Sequence, residues 1–248
     1  MSDHTIFPNA PITEAVIEIK AQLPEETALK SLESFHDHIK NRFPEKQEQR
    51  FLKADFKLLQ KDTTFTLPAK TGTQGYLFRS LKEKKVVQSK IDGFAFNKLK
   101  PYENWELFRS EGRELWELYF NIANPIKIVR IGLRYINRIE VPLPFKDFSE
   151  YLLTNPQIAP QLPQAVSHFF MRLEVSNPDI EATAIITQTM DKPTKTKRLP
   201  LILDIDVFRI TEYLGRAEDM WEDFEKLRDF KNDIFFNSVT EKAKELFR

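Results

Sequence analysis

Three sets of residues are candidates for catalysis or ligand contact by their identity and their intervals along the chain. The first is Asp204 and Asp206 in LeuIleLeuAspIleAspValPhe, and the second is Arg130, Arg134 and Arg138 in a stretch ending TyrIleAsnArgIleGluVal. On a strand, residues two apart share a face. Asp204 and Asp206 could therefore hold a divalent cation for phosphoryl transfer. The glycine-serine turn and helix that precede such a pair in nucleotidyltransferases do not stand before it here, so structural acids are the alternative. The arginines, spaced about 13 Å apart along an extended strand, could engage an anionic ligand or an acidic partner surface. They could also be laced by cross-strand ion pairs worth roughly 0.2 to 1 kcal/mol each, or be buried under the second chain of a homo-oligomer.

Alternation decides which neighbours join them. From Val129 to Val141 the odd positions are Val, Ile, Leu, Tyr, Asn, Ile and Val, while the even ones from Arg130 to Glu140 are Arg, Gly, Arg, Ile, Arg and Glu. One face is apolar and the other basic. The same alternation puts Glu14, Glu18 and Lys20 on the polar face of an earlier strand, and His168, Arg172 and Glu174 on that of HisPhePheMetArgLeuGluVal. Lysine-rich turns form a third set. Lys82, Lys84 and Lys85, with Lys195, Lys197 and Arg198, could straddle a nucleic acid backbone through phosphate contacts, or serve as solubility devices and edge protection.

Other chemistry is excluded more sharply. There is no cysteine, hence no disulfide, thiolate zinc site or cysteine nucleophile. The four histidines, His4, His36, His38 and His168, show no ligand cluster, and no phosphate-loop, dinucleotide, zincin or serine-elbow motif occurs. No cofactor is expected. Basic and acidic residues balance at 37 each, so no global field draws the chain to nucleic acid or an anionic membrane. No apolar run approaches the roughly 20 residues of a membrane span, and MetSerAspHisThrIlePheProAsnAlaPro lacks the order of a signal segment. A cytoplasmic protein without membrane contact is expected.

The elements that must position these residues follow from periodicity. Strands are expected at 12–20, 51–59, 63–67, 76–81, 85–99, 128–141, 166–176, 182–191 and 199–210. Helices are expected at 25–43, from Pro101 through Trp105, Phe108, Gly112, Leu115 and Tyr119, at 145–153, and from Ala217 to Phe235, with Ser238 and Glu241 as a capping box. The 21 phenylalanines supply a ring-rich core.

Short stretches match between the halves in the same order. AlaGlnLeuPro (21–24) answers ValProLeuPro (141–144), LysGluLysLys (82–85) answers LysThrLysArg (195–198), IleAspGlyPheAlaPhe (91–96) answers LeuAspIleAspValPhe (203–208), and TrpGluLeuPhe (105–108) answers TrpGluAspPhe (221–224). They predict an α+β fold forming a single compact unit of two pseudo-repeats, 10–122 and 126–248. Each repeat is a β-α-β(3-4)-α half, together forming a largely antiparallel curved sheet with helices on one face. That topology resembles the saddle of the TATA-box-binding protein, a likeness that carries no function.

PheProAsnAlaProIleThrGluAlaValIleGlu (7–18), LysProTyrGluAsnTrp (100–105), ArgIleGlyLeuArgTyrIleAsnArgIle (130–139) and LysAsnAspIlePhePhe (231–236) resemble the landmarks of a sporadically distributed, uncharacterised family of prokaryotic proteins of similar length. The resemblance runs from end to end and brings no catalytic residues. It implies accessory genes, with defence or toxin-antitoxin neighbourhoods as a setting. The expected function is a non-catalytic binding module engaging a protein partner or anionic ligand through the charged sheet face. The alternatives are nucleic-acid binding through the basic turns and metal-dependent phosphoryl transfer at Asp204 and Asp206.

Overall fold

The computed structural model describes residues 7–27, 29–53, 70–215 and 218–248. Among the described residues, nine strands form one sheet in which every neighbouring pair is antiparallel. The strands are β1 (Ile12–Gln22), β2 (Glu45–Lys53), β3 (Lys70–Ser80), β4 (Lys85–Lys90), β5 (Gly93–Leu99), β6 (Lys127–Pro142), β7 (Phe170–Asn177), β8 (Ala182–Met190) and β9 (Arg198–Leu214). Their spatial order is β2-β3-β4-β5-β1-β6-β9-β8-β7. The first and sixth strands are therefore central and paired, while β2 and β7 are the two edges.

Helices α1 (Leu29–Glu33), α2 (Phe35–Ile39), α3 (Trp105–Ala123), α4 (Asp219–Ser238) and α5 (Glu241–Glu245) complete the fold. The two long ones lie on the same face of the sheet. Gly112 of α3 packs on Ile17 and Phe96, and Lys231 of α4 sits 3.8 Å from the Tyr135 ring centroid. Register pairs Ile17 with Leu133 and Ala15 with Tyr135, and directly opposed residues share a face.

The reason is the alternation itself. Ala15, Ile17, Ile19 and Ala21 of β1 are buried, as are Ile131, Leu133, Tyr135, Ile139 and Val141 of β6. A β-bulge between Ile128 and Arg130 shifts the phase at the start of β6, so that Ile128 enters the core and Val129 does not. Rings fill the layer between sheet and helices: Phe96 stacks on Phe108 at 5.2 Å and Phe94 meets Trp116 edge-on at 5.9 Å. Such pairs contribute about 0.5–1.5 kcal/mol beyond their buried area. Asn137 is one of the polar residues buried on this face, and its amide donates to the Leu203 carbonyl at 3.0 Å. A buried amide left unpaired would be costly.

Several expected elements differ. The helix expected over 25–43 is two single turns separated at Ser34, whose hydroxyl donates back to the Ser31 carbonyl at 2.7 Å and competes with continued helix. The strand expected over 85–99 is a hairpin, turning at Ile91 and Asp92 into Gly93 at φ 138°, a conformation open to glycine. The helix expected over 145–153 is one 3₁₀ turn, Phe148–Glu150, closed by a capping box between Asp147 and Glu150. The cap of α5 is Thr240, whose hydroxyl accepts from the Ala243 amide, while Ser238 ends α4 and bonds the Ile234 carbonyl. The strand expected over 51–59 begins earlier, at Glu45, and 54–69, including the strand expected at 63–67, lies outside the described residues.

Candidate functional site: the uncovered face of the sheet

Opposite the helices, the even-numbered side chains of β1, β6 and β9 meet on a face that none of the described helices covers. Arg130, Arg134, Arg138, Asp204 and Asp206 are all there, as alternation requires. They are joined to one another and to their neighbours. Arg134 donates through Nε and Nη2 to the two oxygens of Asp204 at 2.8 and 2.5 Å. Arg138 donates to Glu140 at 2.7 Å and to Asp191 at 2.8 Å. Arg130 bonds Glu18, lies 3.5 Å from Asp206, and places its guanidinium carbon 4.3 Å from the Phe208 ring centroid.

Gly132 makes the Arg130 arrangement possible. It is the register partner of both Glu18 and Phe208, and a Cβ there would stand 2.9 Å from Arg130 Nη1. The glycine thus provides the floor on which the guanidinium lies flat between its carboxylate and its ring. Cation-π and charge-assisted contacts then act on one group.

The electrostatics follow from these partners. The Asp204 hydrogen bonds raise Arg134 above its ordinary value. Burial raises Asp206, with the charges of Arg130 and Arg134 pulling the other way. Burial lowers Lys90, assisted by the charge of Lys20. For Lys20 burial acts downward too, but the Asp92 hydrogen bond at 2.6 Å and the charge of Glu18 outweigh it and raise the ammonium. Charge is balanced locally along the seam.

Asp204 and Asp206 share the face as their spacing requires, but Asp204 has both oxygens on Arg134. A divalent cation would have to displace that guanidinium. Among the described residues no group of three His, Cys, Asp or Glu side chains is placed to hold a metal.

His168, Arg172 and Glu174 lie elsewhere. Arg172 and Glu174 are on edge strand β7, aligned through Thr187 and Ile185 of β8 with Asp204 and Asp206 of β9. Two strand spacings, about 10 Å, separate them from the aspartates. Both are exposed and have no ion pair among the described residues, and His168 is exposed just before the strand.

The basic turns fall at the same end of the sheet, since Lys85 pairs with Lys98 near the end of β5 and Arg198 with Pro142 at the end of β6. One joins β3 to β4 and the other β8 to β9, so they do not correspond in the strand order. Lys85 is tied to Glu83 at 2.7 Å and Glu111 at 3.0 Å, and Arg198 donates to the Glu140 carbonyl at 3.1 Å. Lys82, Lys84, Lys195 and Lys197 are exposed.

Two concavities were not foreseen. A polar groove of about 510 Å³ on the uncovered face is lined by Lys20, Gln47, Gln49, Gln74, Gln88 and Lys90. Within it Gln49 donates to Gln88 at 2.9 Å, across Gly75 of the intervening strand. The signal was in the sequence, as glutamines at alternate positions of GluLysGlnGluGln (45–49). A cavity of about 790 Å³ lies under the proline-rich loop, between Phe145, Phe148, Gln157, Val166, Met190 and Leu199. Long loops without secondary structure are where such sites gather.

Among the described residues no helix is long and apolar enough to cross a membrane. No protein-family model, curated protein or solved structure matches the chain.

Proposed function

We propose that this protein is a non-catalytic binding module that receives a protein partner or anionic ligand on the uncovered face of its sheet. The observation that carries this reading is the asymmetry of the sheet. Among the described residues helices and aromatic side chains cover one face, and the other carries paired charges and amides from Gln49 to Asp204, with Val16 and Ile136 between them. A ligand with both donors and acceptors fits such a field better than a simple polyanion, since Arg130, Arg134 and Arg138 each already have a carboxylate. Electrostatic complementarity of this kind sets register and specificity more than affinity.

The reading includes an internal duplication of 10–122 and 126–248 around a saddle-shaped sheet. Its support is the strand order, which runs outward from the β1–β6 seam as β5-β4-β3 on one side and β9-β8-β7 on the other. Lys84 at φ 54° and Glu181 at φ 50° each stand one residue before β4 and β8, which occupy the same place in that order. The reading also takes the site of action as cytoplasmic, and the defence or toxin-antitoxin setting rests on the family resemblance.

The test is a binding comparison on purified partner candidates. Arg134→Ala with Arg138→Ala should reduce capture while circular dichroism stays native, whereas Arg113→Ala on the helical face should not. Equal capture by all three proteins would remove the assignment. The nucleic-acid alternative draws on the spacing of the basic turns, centred five strand intervals or roughly 24 Å apart. A shift assay showing no complex even at low salt would remove it.

A further inference from the structure

Strand β7 is an edge without the usual protection. It contains no proline and no lysine, and its pairing with β8 runs without a register shift. The opposite edge differs: a β-bulge, with Gln74 of β3 as the extra residue opposite Gln49 and Arg50, breaks its pairing, and β2 carries the charged sequence GluLysGlnGluGlnArg. Bulges and charges of that kind keep an edge from pairing with another chain. Along β7, Leu173 and Val175 are 38% and 41% exposed on the helix-side face, although their register partners through β8 lead to the buried Ile205 and Val207 of β9. The apolar layer therefore runs out to the edge and is left open there. Among the described residues, no backbone hydrogen bond joins β7 to anything beyond β8.

We propose that a second copy of this chain pairs antiparallel with β7 about a two-fold axis at Leu173, so that the sheet runs on from one copy into the other. The charges select this register. With the axis at Leu173, Arg172 stands opposite Glu174 of the second copy, and Glu174 opposite its Arg172. Met171 stands opposite Val175, and Leu173 opposite itself. Moving the axis one residue either way sets Arg172 against Arg172 or Glu174 against Glu174, and like charges directly opposed are destabilising. The two charged side chains of this strand, without an ion pair inside one copy, thus complete each other between copies. The pairing also covers Leu173 and Val175, whose exposure otherwise costs solvation. This interface is separate from the binding face proposed above.

Sedimentation velocity across a concentration series tests the proposal. The wild-type chain is expected to show a concentration-dependent dimer. Arg172→Glu alone and Glu174→Arg alone should each raise its dissociation constant by about tenfold or more, and the two together should restore it. In a chain without cysteine, Leu173→Cys should form a disulfide-linked dimer on mild oxidation, whereas Leu81→Cys, exposed at the β3–β4 turn, should not. A wild-type monomer at every concentration would overturn the proposal and leave the edge to a strand from another protein. So would a dimer indifferent to single reversal, or equal cross-linking at Leu173 and Leu81.

Discussion

Arg134 reaches past the residue directly opposite it on β9, Asp206, and closes on Asp204 with both oxygens of that carboxylate, at 2.8 and 2.5 Å. The diagonal choice leaves Asp206 with Arg130 at 3.5 Å as its nearest cation. One arginine row thereby serves two acids. A double-mutant cycle of Arg134→Ala and Asp204→Ala should give a coupling of about 0.5–1 kcal/mol, because Arg134 remains 47% exposed and is screened by solvent. Urea unfolding measures it, and added salt should shrink it. A coupling indistinguishable from zero at low salt would mean the pair is not maintained in solution.

Gly132→Ala should cost about 1 kcal/mol, since the added Cβ would stand 2.9 Å from Arg130 Nη1 and push the guanidinium off Glu18 and Phe208. The loss should be non-additive. Adding Arg130→Ala should cost little more, because the contacts it removes are already gone. Full additivity in denaturant unfolding would refute this account of the glycine.

Gly112 lies within α3, where alanine would ordinarily gain about 1 kcal/mol of helix propensity. Here a Cβ would stand 2.8 Å from Ile17 Cδ1, in a core where Ile17 is fully buried. Overpacking costs typically about 1–3 kcal/mol, so Gly112→Ala should destabilise. Removing the offending methyl by Ile17→Val should recover most of the loss. A single variant more stable than wild type in thermal unfolding would contradict the close approach of helix and sheet.

Lys231 of α4 is buried against the Tyr135 ring, its ammonium 2.5 Å from the Asn232 amide oxygen. Burial lowers its pKa to about 7, with the charge of Arg228 adding to the effect. Between about 7 and the ordinary 10.5, the unfolded chain holds a proton that the folded chain lacks. This group therefore makes stability rise with pH across that window and contributes no pH dependence below it. Lys231→Met should stabilise the protein by about 1–3 kcal/mol at pH 7 and flatten that rise. The measurement is unfolding free energy from pH 6 to 10, and an unchanged slope in the variant would rule out Lys231 as its source.

Which side chains share a face was legible from residue order alone. Alternation in Arg130 to Glu140 and in LeuIleLeuAspIleAspValPhe depends only on the two-residue period of a strand, so the arginines and aspartates appear together on one side as their positions dictate. Helical spacing of Trp105, Phe108, Gly112, Leu115 and Tyr119 likewise fixed the buried stripe of α3. Single-residue turns were legible poorly, because Ser34 and Gly93 act through local conformation rather than periodicity. Tertiary structure alone decided the partners. Which strands are neighbours is set by long-range pairing, and that pairing gave Arg134 to Asp204, Arg138 to Asp191 and Arg130 to Glu18. It also sent Arg172 and Glu174 to an edge two strands away, where both are exposed and have no ion pair among the described residues. No local pattern encodes that separation, because it arises from the order in which the sheet is assembled.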